Sequence, residues 1–161
     1  MNDNGVAYMA IEVYGIVQGV GFRPFVCRLA GEHGIAGSVI NTPYGVRIEA
    51  AAEPEDLRSF LEALRTEAPP QAVIETVHAA ESAAFHAGSF VIRESSGAGS
   101  KRALISPDLA TCDECLRELL DPADRRYLYP FINCTNCGPR FTIITEMPYD
   151  RPNTTMSSFT M

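Results

Sequence analysis

The sequence predicts an α+β fold in which a sheet is covered on one face by two helices, followed by a small cysteine-bearing module. Three observations predict it. Apolar residues alternate with period two between Tyr8 and Val17, two later stretches carry apolar residues at helical spacing among short strand-like segments, and four cysteines beyond residue 110 fall into two C-x-x-C pairs.

Taken in order, the first strand puts Met9, Ile11, Val13 and Val17 on one face and Ala10, Glu12, Tyr14 and Ile16 on the other. Phe22, Val26, Leu29, Ala30 and His33 then recur at helical spacing. Pro24 suits a first turn and Gly34 the position just past a helix end, so a helix spans about 23 to 33. Segments 36–41 and 45–51 flank Asn41-Thr42-Pro43-Tyr44-Gly45, whose turn formers predict a hairpin. Glu53-Pro54-Glu55-Asp56 places acids and a proline at a second helix start, Leu57, Phe60, Leu61 and Leu64 make its apolar face, and Ala68-Pro69-Pro70 ends it. Val73–Val77 and Ser89–Arg93 are further strand candidates on either side of a weakly patterned alanine-rich stretch. The order is βαββαβ with an additional short strand, which fits an antiparallel, ferredoxin-like (split βαβ) sandwich over residues 6–94. Residues 95–102 read as a linker, since Ser95 to Ser100 hold nothing apolar larger than alanine; residues 103–148 form a second module, and 149–161 an irregular tail.

An apolar fraction of 46% with 20% charged residues is that of a chain able to bury a core. Thirteen basic against twenty acidic residues give a net charge of −7, which disfavours broad capture of nucleic acid or of an anionic membrane. An anionic ligand must therefore be held by a local site. Met1 to Gly5 lack a positively charged start and a following apolar block, and no run approaches about 18 apolar residues, so the expectation is a cytoplasmic protein with no membrane segment.

Such a local site is visible in Val17-Gln18-Gly19-Val20-Gly21-Phe22-Arg23, between the first strand and the first helix. Two glycines let the backbone approach a ligand, successive amides form a nest, the helix start adds partial positive charge, and Arg23 supplies a guanidinium fork. Gln18, Gly19, Val20, Gly21, Phe22 and Arg23 are thus candidate phosphate-binding residues. A glycine-rich turn also serves close strand–helix packing alone. Asn41 is the second candidate: its amide can hold a water without titrating, and a βαββ order can bring the end of the second strand beside the loop after the first. As a bare turn residue, Asn41 equally suits a capping role. His33 and His78 pair with no activated nucleophile, and Cys27 reads as a small buried hydrophobe.

Together these residues resemble the acylphosphatase family over about residues 6 to 94. The resemblance implies a ferredoxin-like fold in which Arg23 and the loop amides hold phosphate and Asn41 orients the attacking water. Arg23 and Asn41 are the catalytic residues it implies.

Cys112-Asp113-Glu114-Cys115 and Cys134-Thr135-Asn136-Cys137 give C-x2-C-x18-C-x2-C, spacing suited to four thiolates around a tetrahedral zinc ion. Four thiolates leave no open position, so the zinc would be structural. A redox dithiol is the competing reading of either pair. Between the pairs, Arg125-Arg126-Tyr127-Leu128-Tyr129-Pro130-Phe131 interleaves basic and aromatic residues as nucleic-acid-binding ribbons do, yet the same aromatics suit the core of a tiny module. With the net charge, the expectation is no nucleic-acid partner.

With Tyr127 to Ile144 and Pro148-Tyr149-Asp150-Arg151-Pro152-Asn153-Thr154-Thr155-Met156 added, nearly the whole chain resembles the N-terminal part of the HypF family of hydrogenase-maturation carbamoyltransferases. The resemblance implies that carbamoyl phosphate is cleaved at the acylphosphatase-like site. ATP then acts only in absent C-terminal domains, and the carbamoyl group passes to HypE, through the full-length protein, for the cyanide ligands of nickel–iron hydrogenase. On this reading the chain is a fragment with the first step alone, or a carbamoyl-phosphate-binding or docking module inactive without the missing domains.

Overall fold

The structure is a computed structural model that describes residues 5–95 and 103–159; of the expected linker only Ser95 lies within them. The first module comprises β1 (Ala7–Ile16), α1 (Phe22–Glu32), β2 (Ala36–Asn41), β3 (Val46–Ala52), α2 (Pro54–Thr66), β4 (Val73–Glu81) and β5 (Phe90–Ile92). The strands lie in the order β4-β1-β3-β2-β5. β1 and β3 are adjacent and antiparallel at the centre, each beside a strand that comes from the other half of the module, which is the split βαβ arrangement.

Register explains the sidedness. Ile11 pairs with Ile48, Val13 with Val46, and Val39 with Ile48, so one face carries an apolar row. Phe22, Phe25, Val26 and Leu29 of α1, with Leu57, Phe60 and Leu64 of α2, bury against that row. Each fully buried side chain of this size contributes about 1.5–3 kcal/mol. The opposite face pairs Glu12 with Arg47 and Ser38 with Glu49. α2 begins with Pro54, Glu55 and Asp56 and ends with Arg65 in its last turn, charges that complement the helix dipole.

Two features depart from the expected pattern. β4 runs on to Glu81 through the alanine-rich stretch, because the ten residues of β1 offer backbone partners as far as Met9 opposite Glu81, whatever the side chains prefer. The sheet is also mixed, not purely antiparallel. The chain leaves β4 at one edge, crosses with Phe85 edge-on to Tyr8 at 5.3 Å, and reaches the far edge, where β5 runs parallel to β2. Cys27, expected to be buried, is half-buried.

The second module contains α3 (Asp113–Leu120); the stretch 149–161, expected as an irregular tail, carries a 3-10 turn at Arg151–Asn153 and is joined to the module by an isolated bridge from Ile144 to Thr154. Its core is Cys115, Ile132 and Cys137, with Cys112, Leu119 and Cys134 packed around them. Tyr127, Tyr129 and Phe131 are instead 43%, 51% and 74% exposed. The expectation that these aromatics form the core is therefore corrected: the sulfur cluster fills the small interior and leaves them outside. Among the described residues no helix is long and apolar enough to cross a membrane.

Candidate functional site

The loop after β1 becomes a cradle through its two glycines. Gly19 and Gly21 have φ of +72° and +76°, the left-handed region where a side chain is strained. A Cβ would also lie 3.1 Å from the Tyr149 ring at Gly19 and 3.0 Å from Thr135 Cγ2 at Gly21. Gly21 caps α1, and the first intrahelical bond is donated by Phe25 N–H to Gly21 O at 3.1 Å. The amides of Phe22 and Arg23 precede that bond, and Pro24 has no N–H, so the helix start presents donors without an intrahelical partner. Val20 and Phe22 send their side chains into the core, each 1% exposed, which leaves their backbone to the cradle.

Gln18 brings the two sequence-distant candidates together. Its side chain is 3% exposed, and Nε2 donates to Thr42 O at 2.8 Å and to Gly45 O at 2.7 Å. This ties the cradle loop to the hairpin that begins at Asn41, the last residue of β2. The side chain of Gln18 is thereby committed to the hairpin, and its remaining oxygen accepts Tyr149 N–H at 2.8 Å. Asn41 is 1% exposed; its Nδ2 donates to Tyr149 O at 3.2 Å, while Oδ1 has no hydrogen-bond partner among the described residues. Arg23 reaches the same region, with Nη2 2.6 Å from Asp150 Oδ1 and 3.5 Å from Tyr149 O. Arg23 and Asn41 thus converge on one carbonyl oxygen.

The second module closes the site. A cavity of about 410 Å³ lies between Gly19, Arg23 and Asn41 on one side and Thr135, Tyr149 and Asp150 on the other. Arg140 joins them: it is 1% exposed, its Nε donates to Gly19 O at 2.7 Å and Nη1 to Gly138 O at 2.8 Å, and Nη2 donates to Thr135 O. Asp108 in turn accepts Arg140 N–H at 2.6 Å and the Thr142 hydroxyl. The Thr142 hydroxyl, then the Arg140 amide, hold the Asp108 carboxyl below its ordinary range. Sequence reasoning missed the roles of Arg140, Asp108 and the 149–150 pair, since neither periodicity nor spacing says what such residues reach across modules.

The four cysteine sulfurs all lie within 4.8 Å of one another. Cys112 to Cys134 is 3.6 Å, Cys134 to Cys137 is 3.8 Å and Cys137 to Cys115 is 3.7 Å. These are far too long for disulfides and match the sulfur–sulfur edge of about 3.8 Å for a tetrahedron with zinc–sulfur bonds near 2.3 Å. Burial, then hydrogen bonds from the neighbouring sulfurs, pushes the Cys115 thiol up to about 12. Four thiolates here would need a cation to balance them, so the donor set fits structural zinc, with Cys112, Cys115, Cys134 and Cys137 as the residues that would hold it.

The acylphosphatase family model matches residues 9–92, more than half of the chain. The chain belongs to the acylphosphatase family. Its acylphosphatase domain is followed by a match to the HypF finger at residues 111–144, which includes all four cysteines. The chain is 51% identical over 151 residues to Carbamoyltransferase HypF of Synechocystis sp., covering 94% of this chain and 20% of that protein. It is 48% identical over 155 residues to Carbamoyltransferase HypF of Rhizobium leguminosarum bv. viciae, covering 96% and 20%. Full-length HypF in the phosphate- and nucleotide-bound form superposes with a TM-score of 0.91 at 43% identity, over 97% of this chain and 21% of that one. An acylphosphatase from Coxiella burnetii superposes on 58% of the chain over its whole length, at 30% identity and a TM-score of 0.54. The acylphosphatase domain and finger together correspond to the N-terminal part of HypF, and the chain spans about a fifth of the length of the curated relatives it matches.

Proposed function

We propose that the acylphosphatase domain cleaves carbamoyl phosphate. The observation that supports this best is the convergence of Arg23 and Asn41 on one point at the mouth of the glycine cradle, within 3.5 Å and 3.2 Å of Tyr149 O. On this reading the guanidinium and the amides of residues 18 to 23 bind the phosphoryl oxygens, whose charge they stabilise as it redistributes during transfer. Asn41 holds the water: Oδ1, buried and with no hydrogen-bond partner among the described residues, accepts a hydrogen bond from the water, which turns the lone pair of the water oxygen toward phosphorus. A new phosphorus–oxygen bond forms to the water oxygen as the bond to the carbamate oxygen breaks; the water's proton passes to a phosphoryl oxygen, giving inorganic phosphate, and carbamate, already a weak base, leaves without a protonating side chain.

The relatives' name, Carbamoyltransferase HypF, supports a place for this step in carbamoyl transfer; on the same reading that transfer serves hydrogenase maturation, HypE is the acceptor, and ATP is used by parts of the longer proteins outside this chain. The zinc is structural, and the setting is the cytoplasm.

The test is phosphate release from carbamoyl phosphate, compared with acetyl phosphate, by the zinc-loaded chain and by Arg23→Ala. Release by the wild type, lost in Arg23→Ala with circular dichroism and zinc content unchanged, is the expected result. Equal turnover by the two proteins overturns the assignment.

A further inference from the structure

We propose that Tyr149 and Asp150 are an intramolecular occupant of the phosphate cradle, which an incoming phosphate group displaces. The inference rests on the reading of the cradle as an anion site. Asp150 offers what a phosphate offers, an anionic group that only accepts hydrogen bonds. One of its oxygens lies 2.6 Å from Arg23 Nη2 and the other accepts the Ser95 hydroxyl. Tyr149 O takes the Asn41 amide hydrogen at 3.2 Å and lies 3.5 Å from the same Nη2. That nitrogen therefore contacts two consecutive residues of the tail. Two of the side chains assigned to the phosphate and its water, those of Arg23 and Asn41, thus hold Tyr149 and Asp150.

The segment is also built to sit there. Tyr149 N–H donates to the Gln18 side chain at 2.8 Å, the Tyr149 ring lies over Gly19, and its hydroxyl donates to Pro139 O at 3.2 Å. Yet the ion pair itself is not sealed, since the Arg23 and Asp150 side chains are 22% and 23% exposed. A pair of that exposure is held weakly enough for a dianion to replace the carboxylate. Because only the fraction of molecules with the segment displaced binds phosphate, occupancy weakens the apparent affinity by that fraction.

The experiment titrates inorganic phosphate into the zinc-loaded full chain by calorimetry. Asp150→Ala and Asp150→Asn are expected to bind about three- to tenfold more tightly than wild type, with no gain when Asp150→Ala is made on an Arg23→Ala background. Binding by the Asp150 variants alone is the same result at its limit. An affinity equal to or weaker than wild type, in variants whose circular dichroism and zinc content are unchanged, overturns the proposal while the anion-site reading stands. Absence of phosphate binding in wild type and variants alike overturns that reading and this proposal with it. Hydrogen exchange gives an independent measure: the Tyr149 amide is expected to exchange faster at saturating phosphate, and unchanged or slower exchange overturns displacement.

Discussion

The guanidinium of Arg140 lies 2.7 Å from the carbonyl oxygen of Gly19, a residue 121 positions earlier in the chain. Through that contact a residue of the finger holds the backbone of the loop after β1. Arg140→Ala would leave the carbonyls of Gly19, Gly138 and Thr135 without their donor in a buried place, a loss of about 2–4 kcal/mol. Denaturant unfolding should then show two transitions where the wild type shows coupled ones, with the first module the more resistant.

Gln18→Glu should be nearly as damaging. The change replaces a donor to Thr42 O and Gly45 O by an acceptor at a position 3% exposed, so the side chain must take up a proton or push the hairpin away. The expected cost is about 2–4 kcal/mol at neutral pH, smaller in acid as the new carboxyl protonates. Urea midpoints at two pH values measure it.

Removing the metal should affect the modules unequally. The core of the first module, from Ile11 to Leu64, contains no cysteine of the cluster, whereas the core of the second is made of its sulfurs and Ile132. A strong chelator is expected to collapse amide signal dispersion for residues of the finger while that of the sheet persists. Equal loss in both would show that the sheet depends on the metal.

Asp108 supplies the pH dependence. Its carboxyl titrates lower in the folded chain because Thr142 and the Arg140 amide donate to the ionised form. A depressed folded value makes its stabilisation fully present above the ordinary carboxylate range, and lost as the pH falls through the folded value. Asp108→Asn should flatten the acid limb of a stability–pH curve relative to wild type.

Most of the first module was legible because its elements announce themselves locally: β1 alternates, α2 carries its proline and acids at the start, and the hairpin after Asn41 has its turn formers. What escaped is set by partners. Ala79 and Ala80 are strand only because β1 lies beside them, and β5 is parallel only because the chain crosses the sheet to reach β2. In the site, the meeting of the glycine loop with the Asn41 hairpin and the clustering of the four cysteines were legible from residue type and spacing. The side chain of Gln18 could not be assigned in the same way: a buried amide bridging a loop to a hairpin has the same sequence signature as one facing solvent. Tyr127, Tyr129 and Phe131 misled for a related reason, since aromatic character does not reveal that sulfur already fills the interior.

Arg140 follows Cys137 by three positions, and the Gly138 amide between them donates to Cys134 O at 2.6 Å. The path from the sulfur cluster to the loop after β1 is therefore one short stretch of backbone and one side chain. A shortage of metal would reach the loop as lost shape, with no change of charge at Arg23. On the proposed reading, the shape of the anion site would then depend on whether the finger holds its metal.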